Sequence, residues 1–229
     1  MSKTIGVIGG MGPAATADLF TKLLAATPAE RDQDHFRILI DNNPSLPDRN
    51  AAIAGRGPSP GPQLAEAARG LERAGADFLV IACNTAHAFA SDIEAAVSIP
   101  LVSMIDATAD AAVVNKPMRV GVLAADGCRR AGLYQRAFAE RYVEALFLAD
   151  DKQQEFMQLI YRIKAGDVGD AAQRAMERLA GNLTARGAQA VVAACTEVPL
   201  VLDADTLATP VINSTDALVA RAIAFASET

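Results

Sequence analysis

Side chains that build disulfide frameworks and structural zinc sites are scarce in this sequence. Its 229 residues include three cysteines, two histidines and no tryptophan, and no two cysteines have the C-x-x-C spacing. A structural zinc site uses four cysteine or histidine ligands, commonly in close pairs, and disulfide-stabilised domains are rich in cysteine. We therefore expect neither a disulfide framework nor a structural zinc site.

Clustered positive charge is also missing. The formal net charge is −6, and Lys and Arg form no dense run. Nucleic acids and anionic membranes bind proteins through such clusters, so neither is expected as a partner. No apolar run approaches the roughly 20 residues of a membrane span. The first residues, MSKTIGVIGG, turn directly into a strand pattern with no signal peptide. A soluble, cytoplasmic protein is expected.

The sequence does contain a regular alternation of short β-rich runs and longer helical segments, which is typical of a parallel α/β sheet. Most of the β-rich runs are continuously hydrophobic, as in strands covered on both faces. The Pro- and Gly-rich segment 43–62 is expected to be a long functional loop. Strands are predicted at 4–9, 36–42, 77–83, 100–104, 119–124, 143–148, 189–195 and 209–213. Helices are predicted at 13–26, 62–75, 85–97, 106–115, 131–141, 151–165, 168–187 and 214–227.

The two halves of the chain resemble each other. TIGVIGGMG at 4–12 pairs with RVGVLAADG at 119–127, and DFLVIACNT at 77–85 pairs with QAVVAACTE at 189–197. Duplication of one βα module is the simplest explanation of these pairs. Because one more strand and helix follow the second pair, the end of the chain is expected to return to the first lobe. The predicted lobes are residues 1–98 with 208–229, and residues 99–207.

Cys83 and Cys195 end predicted strands at matching positions of the two halves. Ligands bind outside the carboxyl ends of parallel strands, and the helix N-terminus expected there stabilises a thiolate. A lone buried cysteine is commonly inert, but a matched pair favours a chemical role. One thiolate can remove a proton from one face of a carbon while the other thiol returns a proton to the opposite face. Such a reaction inverts the configuration of that carbon.

The turn GVIGGMGPAA at 6–15 loosely fits the G-x-G-x-x-A fingerprint of dinucleotide-binding proteins. Pro13 removes a backbone N–H where a pyrophosphate needs donors. The fingerprint also requires an acidic residue about 20 positions further on, and Asp41 lies too far along the chain. A nicotinamide-dependent enzyme is therefore only a minor alternative.

Five motifs together resemble the cofactor-independent aspartate/glutamate racemase family, and its aspartate racemases most closely. The resemblance covers essentially the whole chain and implies two pseudosymmetric α/β lobes, each a mainly parallel sheet flanked by helices, with the active site in the cleft between them. It also implies that neither pyridoxal phosphate nor a metal is used, and that the protein is a homodimer. The motifs are IGVIGGMGPAAT at 5–16, NNPSLPDR at 42–49, IACNTAHAF at 81–89, IPLVSMID at 99–106 and AACTEVPL at 193–200.

Carried over motif by motif, the resemblance assigns roles to polar residues beside the cysteines. Cys83 and Cys195 become the two acid/base residues. Asn84, Thr85 and Thr196 become donors to the α-carboxylate or amino group of the substrate.

Arg49 and Lys164 match family residues that hold the side-chain carboxylate of the substrate, and Met11 lies where the first loop approaches it. Each position also has an ordinary structural interpretation. A loop arginine is often solvated, and a lysine near a helix end interacts with the helix dipole. His87 could tune the thiol of Cys83 or be satisfied by its neighbours. Glu197 could polarise the preceding threonine or cap the next helix.

One segment departs from the family. Where many members have a threonine-rich loop after the first strand of the second lobe, this chain has AADGC at 124–128, so Ala125 and Cys128 replace two hydroxyl donors. The identity of the amino acid substrate is therefore open. Cys128 precedes two arginines and would be a low-pKa thiol if it were exposed; otherwise it is a variable loop residue.

The sequence thus predicts a racemase of an acidic amino acid, with aspartate preferred, that uses two thiols and no cofactor. Alternatives with the same fold are a racemase of glutamate or another amino acid, a maleate isomerase-like enzyme, and an amino-acid-binding protein without turnover. A one-cysteine decarboxylase is disfavoured because both cysteines are present.

Overall fold

The predicted alternation of strands and helices is present in a computed structural model, which describes residues 2–203 and 206–228. The chain divides into two units, Met1–Met104 with Thr215–Thr229 and Ile105–Ser214. These units are called the first and the second lobe below. The sequence prediction placed the two crossings between the lobes near residues 98 and 207.

The first lobe contains a parallel sheet of three strands in the order β2-β1-β3. Strand β1 is fully buried because its side chains alternate between two apolar layers. Ile5 and Val7 pack with helices α1 and α10, whereas Ile8 packs with α3. The elements of this lobe are β1 (Ile5–Gly9), α1 (Pro13–Ala26), β2 (Ile38–Asn42), α2 (Arg49–Ile53), α3 (Gly61–Arg73), β3 (Phe78–Ile81), α4 (Ala90–Glu94) and, after the second lobe, α10 (Ser214–Ser227).

The second lobe contains a parallel sheet of four strands in the order β5-β4-β6-β7. Here Val120 and Val122 of β4 pack with helix α7, and Leu123 packs with α8 on the other face. Its elements are α5 (Met104–Ala112), β4 (Arg119–Ala124), α6 (Asp126–Arg130), α7 (Leu133–Ala139), β5 (Glu144–Phe147), α8 (Asp150–Lys164), α9 (Asp170–Ala185), β6 (Ala190–Ala194) and β7 (Val211–Asn213).

The sheets confirm the predicted α/β class with parallel strands flanked by helices. In both lobes the first strand of the repeat lies between the second and the third, which is the arrangement expected of a duplicated module. The described residues include no helix long and apolar enough to cross a membrane.

The strand predicted at 100–104 is wrong, because only Leu101 bridges to β3, at Leu79. Pro100 has no N–H to donate and accepts a bond from the Leu79 N–H at 2.8 Å. Helix α5 then begins at Met104, so the extended stretch ends before it can lengthen. The segment still corresponds to β7, which adjoins β6 in the second lobe after an analogous bond from Val191 N–H to Pro210 O.

Other differences from the predicted elements lie close to the cysteines. The helix predicted at 85–97 is a 3₁₀ turn, Thr85–Phe89, followed by the short α4. The predicted loop 43–62 contains α2, which begins at Arg49 because the Asp48 side chain accepts a hydrogen bond from the Ala51 N–H at 2.7 Å. Residues 124–128, which were expected to form a loop, instead contain the end of β4 and, after Ala125, the start of helix α6.

Replacing Gly10 with alanine is expected to destabilise the first lobe. Gly10 lies in the β1–α1 turn with φ +89°, and a Cβ there would lie 2.3 Å from the backbone carbonyl of Asn43. The left-handed strain and the overlap together should cost at least about 2 kcal/mol of unfolding free energy. Urea denaturation measures this change. Gly70→Ala in helix α3 is the control, because a Cβ there meets nothing within 4 Å, and it should not destabilise the protein. Equal stability of the two variants would contradict this interpretation of the turn.

Candidate active site

Cys83 lies just beyond the carboxyl end of β3 and is buried, with 7% of its surface exposed. Asn84 and Thr85, which open the following 3₁₀ turn, are buried with it. The described residues give the Cys83 sulfur no hydrogen-bond partner. The buried Met11 side chain belongs to the same apolar cluster as Cys83. The first lobe therefore brings together Cys83, Asn84, Thr85 and Met11, four of the predicted residues.

His87 fixes the backbone of this segment. Its Nδ1 lies 2.9 Å from the Cys83 carbonyl oxygen, and its Nε2 accepts the Met104 N–H at 3.1 Å. Because Nε2 is an acceptor, the hydrogen-bond network assigns a neutral ring with the proton on Nδ1. His87 thus links Cys83 to the start of helix α5. The structure supports the interpretation of a histidine satisfied by its neighbours, and the Met104 amide is a partner that the sequence did not suggest.

The turn after β1 is held by Thr16. Its hydroxyl oxygen accepts the Gly10 N–H at 2.9 Å and donates to the Gly12 carbonyl at 3.2 Å. A Cβ on Gly9 would lie 2.5 Å from the Thr16 side chain, so the threonine can pack here only against glycine. This fixes the backbone on which Met11 is carried.

Arg49 lies at the first position of α2, half-buried, and its guanidinium reaches back to this turn. It donates to the carbonyl oxygens of Pro47 at 3.0 Å, Leu46 at 3.4 Å and Met11 at 3.4 Å. Within residues 2–203 and 206–228 no carboxylate lies within ion-pair distance of Arg49. A half-buried guanidinium that is bonded only to neutral carbonyl oxygens can still pair with an anion, and solvent screens that interaction less than it would at a fully exposed loop arginine.

Cys195 occupies the matching position in the second lobe, directly after β6, with 8% of its surface exposed. Its thiol donates to Glu197 Oε2 at 2.9 Å, and the Thr196 hydroxyl donates to the same oxygen at 3.4 Å. The other carboxylate oxygen, Oε1, binds the Lys164 ammonium. Lys164 is the last residue of helix α8, which brings it to this end of the sheet.

Lys164 and Glu197 have a partner in each other that the sequence did not suggest. Lys164 was expected to bind the side-chain carboxylate of the substrate or to interact with the helix dipole, and in this structure its ammonium is paired with the carboxylate of Glu197. Glu197 does contact Thr196, as one interpretation expected. It caps no helix, because the turn Val198–Leu200 receives no hydrogen bond from it.

The electrostatic surroundings hold Cys195 in its protonated form. Burial raises the pKa of the Cys195 thiol well above its usual value, and the negative charge of Glu197 raises it further. The Lys164 ammonium acts in the opposite direction. Cys195 therefore presents a thiol whose proton points at a buried carboxylate.

Cys128 is neither exposed nor in a loop. It lies in helix α6, is 1% exposed, and shares an apolar cluster with Tyr134. Burial raises the pKa of the Tyr134 hydroxyl well above its usual value, and the nearby Cys128 thiol adds to the rise. The backbone at the start of α6 is held by the Gln153 amide, which donates to Ala124 O at 3.0 Å and to Asp126 Oδ1 at 2.8 Å. The expectation of a reactive or loop thiol at Cys128 is wrong because the helix packs it into the core.

The described residues contain no group of three or more His, Cys, Asp or Glu side chains that could hold a metal ion. The polar groups at each strand end are instead hydrogen-bond donors and acids. The first lobe offers a thiol, an amide, a hydroxyl and a guanidinium. The second offers a thiol, a hydroxyl and a carboxylate–ammonium pair. This set is suited to proton transfer on a small anion.

Comparisons with known proteins agree with that chemistry. The family model described as Asp/Glu/Hydantoin racemase matches residues 8–222. The solved structure of Picrophilus torridus aspartate racemase has a TM-score of 0.89 and 31% identity, and the match covers 99% of this chain and 95% of that one. The broad specificity amino-acid racemase RacX of Bacillus subtilis is 26% identical over 224 residues, which are 93% of this chain and 94% of that protein. A glutamate racemase of Pseudomonas paraeruginosa is 39% identical over 137 residues, 57% of this chain and 49% of that protein.

Proposed function

Because the chain belongs to the Asp/Glu/hydantoin racemase family and is thereby an isomerase, we propose that it interconverts L- and D-aspartate with Cys83 and Cys195 as the two proton-transferring residues. The observation that carries this proposal is the matched position of the thiols. Each follows a strand of a parallel sheet, Cys83 after β3 and Cys195 after β6, in corresponding places of a repeated module.

The proposed reaction is a proton exchange at the α-carbon. One cysteine, as thiolate, takes the α-proton, and the other, as thiol, delivers a proton to the opposite face. The S–H bond of the first cysteine forms as the C–H bond breaks, and the reverse occurs at the second. The mechanism therefore requires both thiols to reach one α-carbon, and it exchanges their protonation states in every turnover. No redox change occurs, so the atoms and electrons balance without a cofactor.

The substrate contacts follow from the donors beside the thiols. Asn84, Thr85 and Thr196 are proposed to bind the α-carboxylate or the amino group, where negative charge grows as the proton leaves. Arg49 is proposed to bind the side-chain carboxylate, because its charge has no anionic partner among the described residues. Met11, which is buried in the same apolar cluster as Cys83, is proposed to line the substrate site on the first lobe.

A broader amino acid specificity is the second candidate. It is favoured by the match to a broad specificity racemase along almost the whole chain. It is also favoured by the start of helix α6, because Ala125 at its N-cap and Cys128 within it replace the hydroxyl donors that the resemblance leads us to expect.

The substrate is tested by incubating the purified protein with single L-amino acids, without pyridoxal phosphate and with a chelator, and separating the products by chiral chromatography. The proposal expects D-aspartate to form with the highest kcat/KM in a panel that includes glutamate, alanine, lysine and arginine. Similar values for several side chains would support the broad-specificity candidate instead. No D-isomer from any member of the panel would overturn the aspartate proposal. A homodimer and a cytoplasmic location stay predictions from the sequence.

A further inference from the structure

We propose that Glu197 and Lys164 are positioning residues that control the protonation of Cys195, and that neither is a ligand of the substrate. The inference rests on the proposed function only in giving Cys195 a proton-transfer role. In this proposal Glu197 accepts the proton that Cys195 must release before Cys195 can act as a base.

The first step of the argument is the complete use of the Glu197 carboxylate. Oε2 accepts the Cys195 thiol at 2.9 Å and the Thr196 hydroxyl at 3.4 Å, while Oε1 binds Lys164. The Glu197 side chain is only 4% exposed, whereas that of Lys164 is 29% exposed. A buried carboxylate needs such a partner, because the loss of its hydration must be offset. If the Lys164 ammonium left Glu197 to bind a substrate carboxylate, Glu197 would stay buried without its cation.

The second step is the proton balance at Cys195. When the thiol protonates the α-carbon, Cys195 is left as a thiolate. When Cys195 must instead abstract a proton, the thiol first gives its own proton to Glu197 Oε2. In that transfer the S–H bond breaks, an O–H bond forms, and the negative charge moves from the carboxylate to the sulfur. Lys164, which is bonded to Glu197 Oε1 at the end of helix α8, favours the thiolate electrostatically.

The third step is the set of charges that face Cys195. Glu197 follows the same strand, Lys164 comes from α8, and Tyr134 comes from α7. The Tyr134 hydroxyl stays neutral because burial raises its pKa. The charges with the largest effect on Cys195 are therefore the Glu197 carboxylate and the Lys164 ammonium, which act on the thiolate in opposite directions.

Cys83 has no comparable arrangement. The residues that the structure describes place no hydrogen-bond acceptor at its sulfur, and the neighbouring His87 is neutral and bonded at both ring nitrogens. The two thiols, which occupy matching positions of the repeat, therefore differ in their proton acceptors. We therefore expect substitution of Glu197 or Lys164 to change the reactivity of Cys195 and to leave that of Cys83 almost unchanged.

The test is the rate at which iodoacetamide alkylates Cys195 over a range of pH, followed by peptide mass spectrometry so that each cysteine is measured separately. Glu197→Gln removes the anion and leaves the cation, so alkylation of Cys195 at neutral pH should be roughly tenfold faster than in the unmodified protein. Lys164→Gln removes the cation, and alkylation should be roughly tenfold slower. Alkylation of Cys83 should change little in either variant.

Lys152→Gln is the matched control, because Lys152 lies on the same helix and pairs with the exposed Glu155 at 2.7 Å. It should leave alkylation of Cys195 unchanged. If Glu197→Gln does not fold, Lys164→Gln still tests the proposal through its opposite sign, because the lysine side chain is partly exposed. Unchanged alkylation of Cys195 in folded variants, or a change in the same direction in both, would overturn the proposal.

Racemisation kinetics separate this inference from the proposed function. The acid limb of the kcat/KM profile should move to lower pH in Glu197→Gln and to higher pH in Lys164→Gln, in parallel with alkylation. A substrate ligand at Lys164 would instead raise KM without moving the alkylation profile, and that result also overturns the proposal. If the unmodified protein does not racemise aspartate, the alkylation rates still test the role of Glu197 and Lys164.

Discussion

Cys83→Ala and Cys195→Ala are each expected to lower kcat for racemisation of aspartate by more than about a thousandfold, because each removes the group that takes or returns the proton on one face of the substrate. Alanine removes the sulfur without adding volume, so the buried strand ends should keep their packing. Polarimetry or chiral chromatography of L-aspartate and of D-aspartate measures the loss in both directions.

The same variants should separate the two halves of the reaction. A protein that retains one thiol can still remove the α-proton from the enantiomer that faces it, and can return a solvent proton to the same face. In D₂O each variant should therefore exchange the α-proton of one enantiomer, and the two variants should prefer opposite enantiomers. Exchange of the same enantiomer by both would contradict the two-thiol assignment.

Cys128→Ala is the control for the loss of a buried thiol. Cys128 is more deeply buried than the other two cysteines and lies inside helix α6 with no proposed chemical role. The variant should retain activity within a few-fold of the unmodified protein. A thousandfold loss in Cys128→Ala would show that removal of a buried thiol, and not loss of the acid/base group, explains the other results.

Arg49→Gln is expected to lower kcat/KM for aspartate by about one hundredfold, mainly through KM. A charge-assisted hydrogen bond to a carboxylate contributes about 1.5–3 kcal/mol, which corresponds to roughly ten- to more than a hundredfold in binding. Racemisation of alanine, which has no side-chain carboxylate, should change little if the protein turns it over. Steady-state kinetics on both amino acids measures the difference.

The alternative role of Arg49 is structural, because its guanidinium also ties the carbonyls of Met11, Leu46 and Pro47 together. A structural role predicts equal losses with aspartate and alanine and a lower urea midpoint. Arg56→Gln is the control on the same segment, since Arg56 is exposed and should change neither quantity.

Much of the fold could be predicted because burial on both faces leaves a direct trace in the sequence. The continuous hydrophobic runs located β1, β4 and β6, and helices α1 and α10 begin and end at the predicted residues. The strand predicted at 100–104 failed because a short apolar run beside Pro100 can satisfy its backbone with one bridge. Periodicity alone does not separate such a run from a strand.

The positions of the two thiols at the strand ends could be predicted from the sequence, but the residues that bond to them and to their neighbours could not. The cysteines and the polar residues after them are contiguous in sequence, so a motif contains them. The bond between Lys164 and Glu197 joins the end of α8 to the end of β6, and the bond between His87 and Met104 joins a turn to the start of α5. Such contacts depend on how the helices pack against the sheet, and a single sequence contains no signal for them.

Proton transfer by two thiols is tested most directly by the position of deuterium in the product. L-aspartate is incubated in D₂O and the reaction is stopped at low conversion. The two enantiomers are then separated, and the deuterium content of each is measured by mass spectrometry. If two separate thiols transfer the proton and both exchange with D₂O, nearly all the D-aspartate formed should have deuterium at the α-carbon. The remaining L-aspartate should contain little deuterium. D-aspartate that keeps the original α-proton would mean that one group carries the proton across both faces, and the assignment of Cys83 and Cys195 as two separate proton-transferring residues would be wrong.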